Sequence, residues 1–107
     1  MLTKKVISYQ GQNFSDFINR EGLVLVDFFA VWCPPCRKLE PILEEVARVQ
    51  REVFFAKVDI DLFREVTLEQ KVASFPTLIL YKNQKEVARN NGFLDKEELL
   101  SFLQKHK

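Results

Sequence analysis

Histidine and cysteine are scarce in this chain: one His and two Cys among 107 residues. The single histidine, His106, sits one residue from the C-terminus. A Cys–His nucleophile pair and a His-based metal site are thereby excluded. Two cysteines cannot build a disulfide scaffold, and one Cys-x-x-Cys supplies only half of a four-ligand zinc site, so no metal is expected. Neither sign of charge is in excess. Sixteen Lys+Arg against fifteen Asp+Glu give a net charge of +1, which argues against nucleic acid, since phosphate binding needs a strong basic surplus on one face. No apolar run approaches the ~20 residues of a membrane span, so no membrane association is expected. Met1 to Gln10 has no apolar stretch of signal-peptide length, which weighs against export, although removal of a leader from a mature form would leave the same N-terminus. Repeats, low-complexity tracts and Pro/Gly/Ser linkers are missing too. The length fits one domain, residues 1–107. With 47% hydrophobic and 29% charged residues, a packed core is possible and disorder is not expected. One chemistry is left open, that of the thiol pair itself.

Along the chain, Val6 to Tyr9 reads as a short edge strand. Asn13 precedes Phe14, Phe17 and Ile18 at helical spacing, Asp16 is placed to close a weak capping box, and Gly22 is expected to end that helix. Leu23 to Ala30, L-V-L-V-D-F-F-A, is almost continuously apolar, the pattern of a strand covered on both faces. Leu39, Ile42, Leu43 and Val46 form the apolar stripe of a helix, with Pro41 expected to kink it. Val53 to Ile60 is a second apolar strand. Leu62 to Lys71 reads as a polar helix, Thr77 to Tyr81 and Glu86 to Arg89 as a hairpin turning at Asn83-Gln84, and Asp95 with Glu98 as the capping box of a last helix. The order β α β α β α β β α implies an α/β domain, right-handed crossovers and helices on both faces of a mixed sheet.

The chemistry concentrates in Trp32-Cys33-Pro34-Pro35-Cys36. Cys33 follows a buried strand and opens a helix. The unpaired N–H groups and the positive dipole end of a first helical turn favour a thiolate, so the Cys33 thiol is expected below the ~8.5 of free cysteine. Cys36 lies one turn on, within reach of a small disulfide loop, which supplies a nucleophile and a resolving thiol at fixed spacing. Pro34 and Pro35 occupy early helical positions where a missing N–H is tolerated. Asp27 lies in the middle of an apolar strand, where desolvation raises a carboxyl pKa. Trp32 serves either packing or an interface.

Val26-Asp27-Phe28-Phe29-Ala30-Val31-Trp32-Cys33-Pro34-Pro35-Cys36 resembles the active-site strand and turn of thioredoxins. The resemblance continues through Lys57-Val58-Asp59, Phe75-Pro76-Thr77 and Gly92 and covers essentially the whole chain. It implies the thioredoxin fold, a mixed sheet of about five strands flanked by about four helices. It also implies that Cys33 attacks, that Cys36 resolves, and that Pro76 is a cis-proline facing the disulfide, with the Phe75 backbone pairing with a substrate strand. Asp27 is then the acceptor of the Cys36 proton, with Lys57 on the neighbouring strand holding a charge pair with it; a purely structural Asp–Lys pair is the alternative. The expected partners are disulfide-containing proteins and an NADPH- and flavin-dependent thioredoxin reductase. No cofactor is bound by the chain itself, which is expected to be a cytoplasmic monomer.

Pro-Pro stands between the cysteines where thioredoxins usually carry Gly-Pro, Phe29 where many carry a second Trp, and Gln84 where a turn Gly is usual, which predicts a positive φ at Gln84. Val31 and Phe93 replace residues that are often polar or small. Both are expected to flank the exposed sulfur and, with Trp32, Pro34, Pro35, Phe75 and Gly92, to form a patch that selects a few protein partners. The main expectation is reduction of protein disulfides. Two alternatives stand beside it: a disulfide oxidase or isomerase outside the cytosol, and a binding module whose thiols are incidental.

Overall fold

A computed structural model describes residues 5–107; the first four residues of the N-terminal stretch read above lie outside it. Five strands form one sheet: β1 (Val6–Ser8), β2 (Leu23–Phe29), β3 (Phe54–Asp59), β4 (Thr77–Lys82) and β5 (Lys85–Asn91), in the spatial order β1-β3-β2-β4-β5. β3 runs parallel to β1 and β2, while β4 is antiparallel to both β2 and β5. The helices are α1 (Phe14–Phe17), α2 (Pro34–Val49), α3 (Arg64–Glu69) and α4 (Lys96–Gln104). The mixed five-strand, four-helix architecture matches the expectation, element for element.

β2 occupies the centre, which is why its apolar run does not alternate: side chains on both faces are covered. Val24, Val26 and Phe28 enter one core with Phe14 and Phe17 of α1, and Val66 of α3 packs against it. Leu23 and Leu25 enter the other, with Leu39, Leu43 and Val46 of α2 and Leu99 and Leu103 of α4. By the same alternation Asp27 belongs to the α2 face, and so does Lys57, its register partner on β3. Asp27 is therefore a carboxylate set into an aliphatic layer.

Helix boundaries differ from the sequence reading at two places. α1 ends at Phe17, capped at Ile18, and Gly22 (φ 77°) serves the turn into β2 rather than the helix end. α3 is shorter than Leu62–Lys71, because Lys71 takes a φ of 57° that no helix continues through. As read, Pro41 lies inside α2, which runs from Pro34 to Val49 with Leu39, Leu43 and Val46 packed into the core. The hairpin turn is as read: Asn83 (φ 52°) and Gln84 (φ 66°) are both left-handed, and the Gln84 amide is held by the carbonyl and hydroxyl of Ser15 at 3.0 and 2.9 Å. The capping box at Asp95 and Glu98 is complete.

Candidate active site

The chain leaves β2 at Phe29 and reaches Cys33, the N-cap of α2, through a turn closed by Cys33 N–H donating to the Ala30 carbonyl at 3.2 Å. Cys33 is extended (φ −91°, ψ 112°), and Pro34 and Pro35 fill the first helical positions, where no N–H is needed. Cys36 N–H donates to the Cys33 sulfur at 3.3 Å. This is an ordinary N-cap hydrogen bond with sulfur in the place of a hydroxyl oxygen. Negative charge developing on Cys33 thus meets a fixed donor and the positive end of a 16-residue helix. The two cysteines are joined by a disulfide, with Cα atoms 5.2 Å apart.

The expectation of an exposed sulfur is corrected. Cys33 is 4% exposed and Cys36 3%. Phe75–Pro76 is a cis peptide, as the resemblance implied, and the Phe75 carbonyl oxygen lies 3.7 Å from the Cys33 sulfur. The loop is pinned by Thr77, whose hydroxyl donates to the Ser74 carbonyl at 2.7 Å, and by Gly92 N–H donating to the Pro76 carbonyl at 2.8 Å. At Gly92 a Cβ would meet nothing within 4 Å; its φ of 107° is what requires glycine.

Asp27 is 3% exposed, and its Oδ1 has no hydrogen-bond partner. Burial pushes its carboxyl up to about 7; the Lys57 ammonium opposes this and the Glu40 carboxylate reinforces it. The Lys57 ammonium pairs with Glu40 Oε1 of α2 at 3.6 Å, not with Asp27. The expected Asp27–Lys57 ion pair is therefore replaced by a Lys57–Glu40 pair beside a carboxyl without a partner, because α2 brings a second acid within the lysine's reach.

The thioredoxin family model matches residues 5–105. The chain belongs to the thioredoxin family. It is 49% identical to a thioredoxin of Chlamydia pneumoniae over 95% of this chain and 97% of that one, and 47% identical to a thioredoxin of Chlamydia trachomatis over 89% and 92%. Among solved structures, thioredoxin NaTrxh from Nicotiana alata superposes with a TM-score of 0.90 at 32% identity, covering 100% of this chain and 96% of that one. The oxidised thioredoxin of Plasmodium falciparum superposes with a TM-score of 0.84 at 35% identity over 94% and 96%. As a family member with its Cys-x-x-Cys pair at the mouth of α2, the protein is a thiol–disulfide oxidoreductase.

Of the residues singled out for thioredoxin chemistry, Cys36 and Phe75 lie against the Cys33 sulfur, and the others fall into separate groups. Trp32 is 61% exposed, so core packing is not its role. Its indole N–H donates to Asp61 at 2.8 Å, and its ring meets Phe75 edge-on at 6.1 Å. Trp32 and Phe75 line a hollow of about 270 Å³ with Ile60, Arg64 and Leu68. Val31, 63% exposed, faces a different hollow of about 350 Å³, with Phe29, Glu40 and Lys57. Phe93 is half-buried against the α2–α4 core, and the Lys38 ammonium sits 4.9 Å from its ring centre. The single apolar patch drawn from sequence is thus split, because Val31 and Trp32, neighbours in the turn before Cys33, line different hollows.

Two site residues escaped the sequence reading. Glu40 lies four residues after Cys36 and so shares its helix face, a signal that the spacing offered. Asp61 had none, since only the turn after β3 carries it to Trp32. Among the described residues no group of three or more His, Cys, Asp or Glu is arranged to hold a metal ion, and no helix is long and apolar enough to cross a membrane.

Proposed function

We propose that the chain acts as a single-domain, cytoplasmic, monomeric reductant of protein disulfides, recycled by an NADPH- and flavin-dependent thioredoxin reductase and binding no cofactor itself. The Cys33 thiolate attacks one sulfur of the substrate disulfide, forming a mixed disulfide and releasing the first substrate thiolate. Cys36 loses its proton to Asp27 and attacks the Cys33 sulfur, releasing the second substrate thiolate. The substrate gains two electrons and the Cys33/Cys36 dithiol loses them. Trp32, the Phe75 backbone beside Pro76, and Gly92 receive the substrate strand, with Val31, Pro34, Pro35 and Phe93 at its margins.

The observation that carries this reading is the seating of Cys33 as the N-cap of α2, with Cys36 N–H aimed at its sulfur. That arrangement favours the Cys33 thiolate, the form that attacks a substrate disulfide. The test is the equilibrium of the Cys33/Cys36 couple in defined glutathione or dithiothreitol buffers. A potential near the ~−270 mV characteristic of thioredoxins supports a reductant. A value of ~−180 to −120 mV places the protein with isomerases and oxidants instead and reopens the compartment assignment.

A further inference from the structure

On the α2 face of the sheet, Asp27 and Lys57 are neighbours in register on β2 and β3. A lysine beside a buried carboxyl that has no partner ordinarily turns toward it, since an ion pair removes part of the desolvation cost. Lys57 does not. Its ammonium lies 3.6 Å from Glu40 Oε1 and 5.5 Å from the centre of the Phe29 ring. The Glu40 side chain is 51% exposed and that of Lys57 16%, so the pair stands at the wall of the Val31 hollow, outward of Asp27.

The other groups on this face leave Glu40 as the acid that decides where Lys57 goes. Asp59, also on β3, is engaged by the N–H groups of Asp61 and Leu62 at 2.9 and 3.3 Å. Glu44, one turn beyond Glu40, accepts from the N–H groups of Lys5 and Val6 at 2.9 and 3.3 Å. β4 sets Leu78 opposite Asp27, and α4 contributes Leu99 and Leu103 to this layer. We propose that Glu40 is a positioning residue for the resolving step: it holds the Lys57 ammonium at the rim of the hollow and leaves the Asp27 carboxyl without an ion-pair partner. The inference rests on the reading of Asp27 as the proton acceptor for Cys36.

Two effects of Glu40 then act with the same sign. Its own charge disfavours ionisation of Asp27, and its hold on Lys57 withdraws the one cation that would favour it. A carboxyl paired with Lys57 would titrate well below neutrality and be a weak base for a thiol. Held apart, it titrates where a proton acceptor working near pH 7 is effective.

The experiment is a carbon-13 NMR titration of the Asp27 carboxyl in the oxidised protein. It compares wild type, Glu40→Gln, Lys57→Met and the double variant, alongside the pH profile of mixed-disulfide resolution. Glu40→Gln is expected to move the Asp27 midpoint down by about one pH unit, a roughly five-fold loss of the protonated fraction at pH 7. In the Lys57→Met background the same substitution should move it less than half as far. A midpoint that stays or rises in Glu40→Gln overturns the proposal, and so does an equal fall with and without Lys57. If the midpoint falls while the resolution profile does not follow, Asp27 is not the proton acceptor, yet the placement of Lys57 by Glu40 stands.

Discussion

Replacing Asp27 by Asn tests the physical account of the site through stability as well as rate. The carboxyl is 3% exposed, its Oδ1 is unpartnered, and burial raises its pKa from 3.8 to about 7. Because the folded pKa lies above the unfolded one, the folded state binds more protons than the unfolded state between these values. Stability therefore falls as pH rises through that window, and the loss is complete above about 7. At ~1.4 kcal/mol per pH unit, the full cost of ionising Asp27 in place is about 4 kcal/mol. Asn cannot ionise and escapes this cost. Its amide N–H group must still sit in a dry pocket, which costs about 1–3 kcal/mol and does not depend on pH. The stability difference between Asp27→Asn and wild type should consequently grow by about 2–3 kcal/mol between pH 5 and pH 8, in favour of the variant. Guanidinium unfolding of both oxidised proteins at several pH values measures it. A difference that is flat with pH, or that grows as pH falls, would refute the desolvation argument and with it the assignment of Asp27 as a base poised near neutrality.

The same substitution should slow resolution of a mixed disulfide at pH 8 by about 100-fold, and the wild-type rate should rise with pH to a plateau with a midpoint of about 7 that the variant lacks. Stopped-flow fluorescence of Trp32, the one tryptophan in the chain, follows the step, and a shared inflection would argue against proton transfer to Asp27. Asp61→Ala removes the acceptor of the Trp32 indole N–H; KM for a protein disulfide should rise about five-fold, the equivalent of ~1 kcal/mol, with kcat unchanged and faster decay of Trp32 anisotropy. In the hairpin, Gln84→Ala should lower stability by about 1 kcal/mol, losing the hold on Ser15 while keeping the left-handed φ of 66°. Gln84→Gly loses the same contacts but sheds the strain, so its urea midpoint should stay near that of wild type.

The elements and their order were legible in the sequence, because each is written in local terms. The unbroken apolar run of Leu23 to Ala30 marked a central strand, the spacing of Leu39, Leu43 and Val46 marked a packed helix face, and Asp95 with Glu98 marked a helix start. Cys33 as a helix N-cap followed from the same local logic, since strand end, Pro-Pro and apolar stripe are contiguous. The burial of Asp27 followed too, from its place within the run. The tertiary structure alone decided what these groups meet. Which acid Lys57 would pair with depended on how α2 lies over β3, and it brought Glu40 closer than Asp27. Whether Val31 and Trp32 formed one patch depended on the path of the turn before Cys33, and they line separate hollows. The burial of Cys33 depended on the loop that brings the Phe75 carbonyl, 42 positions further along the chain, to 3.7 Å from its sulfur. Periodicity and capping report on a segment's own backbone and on its average surroundings. Contacts among polar side chains arise between segments, over distances of a few ångströms that no single segment encodes.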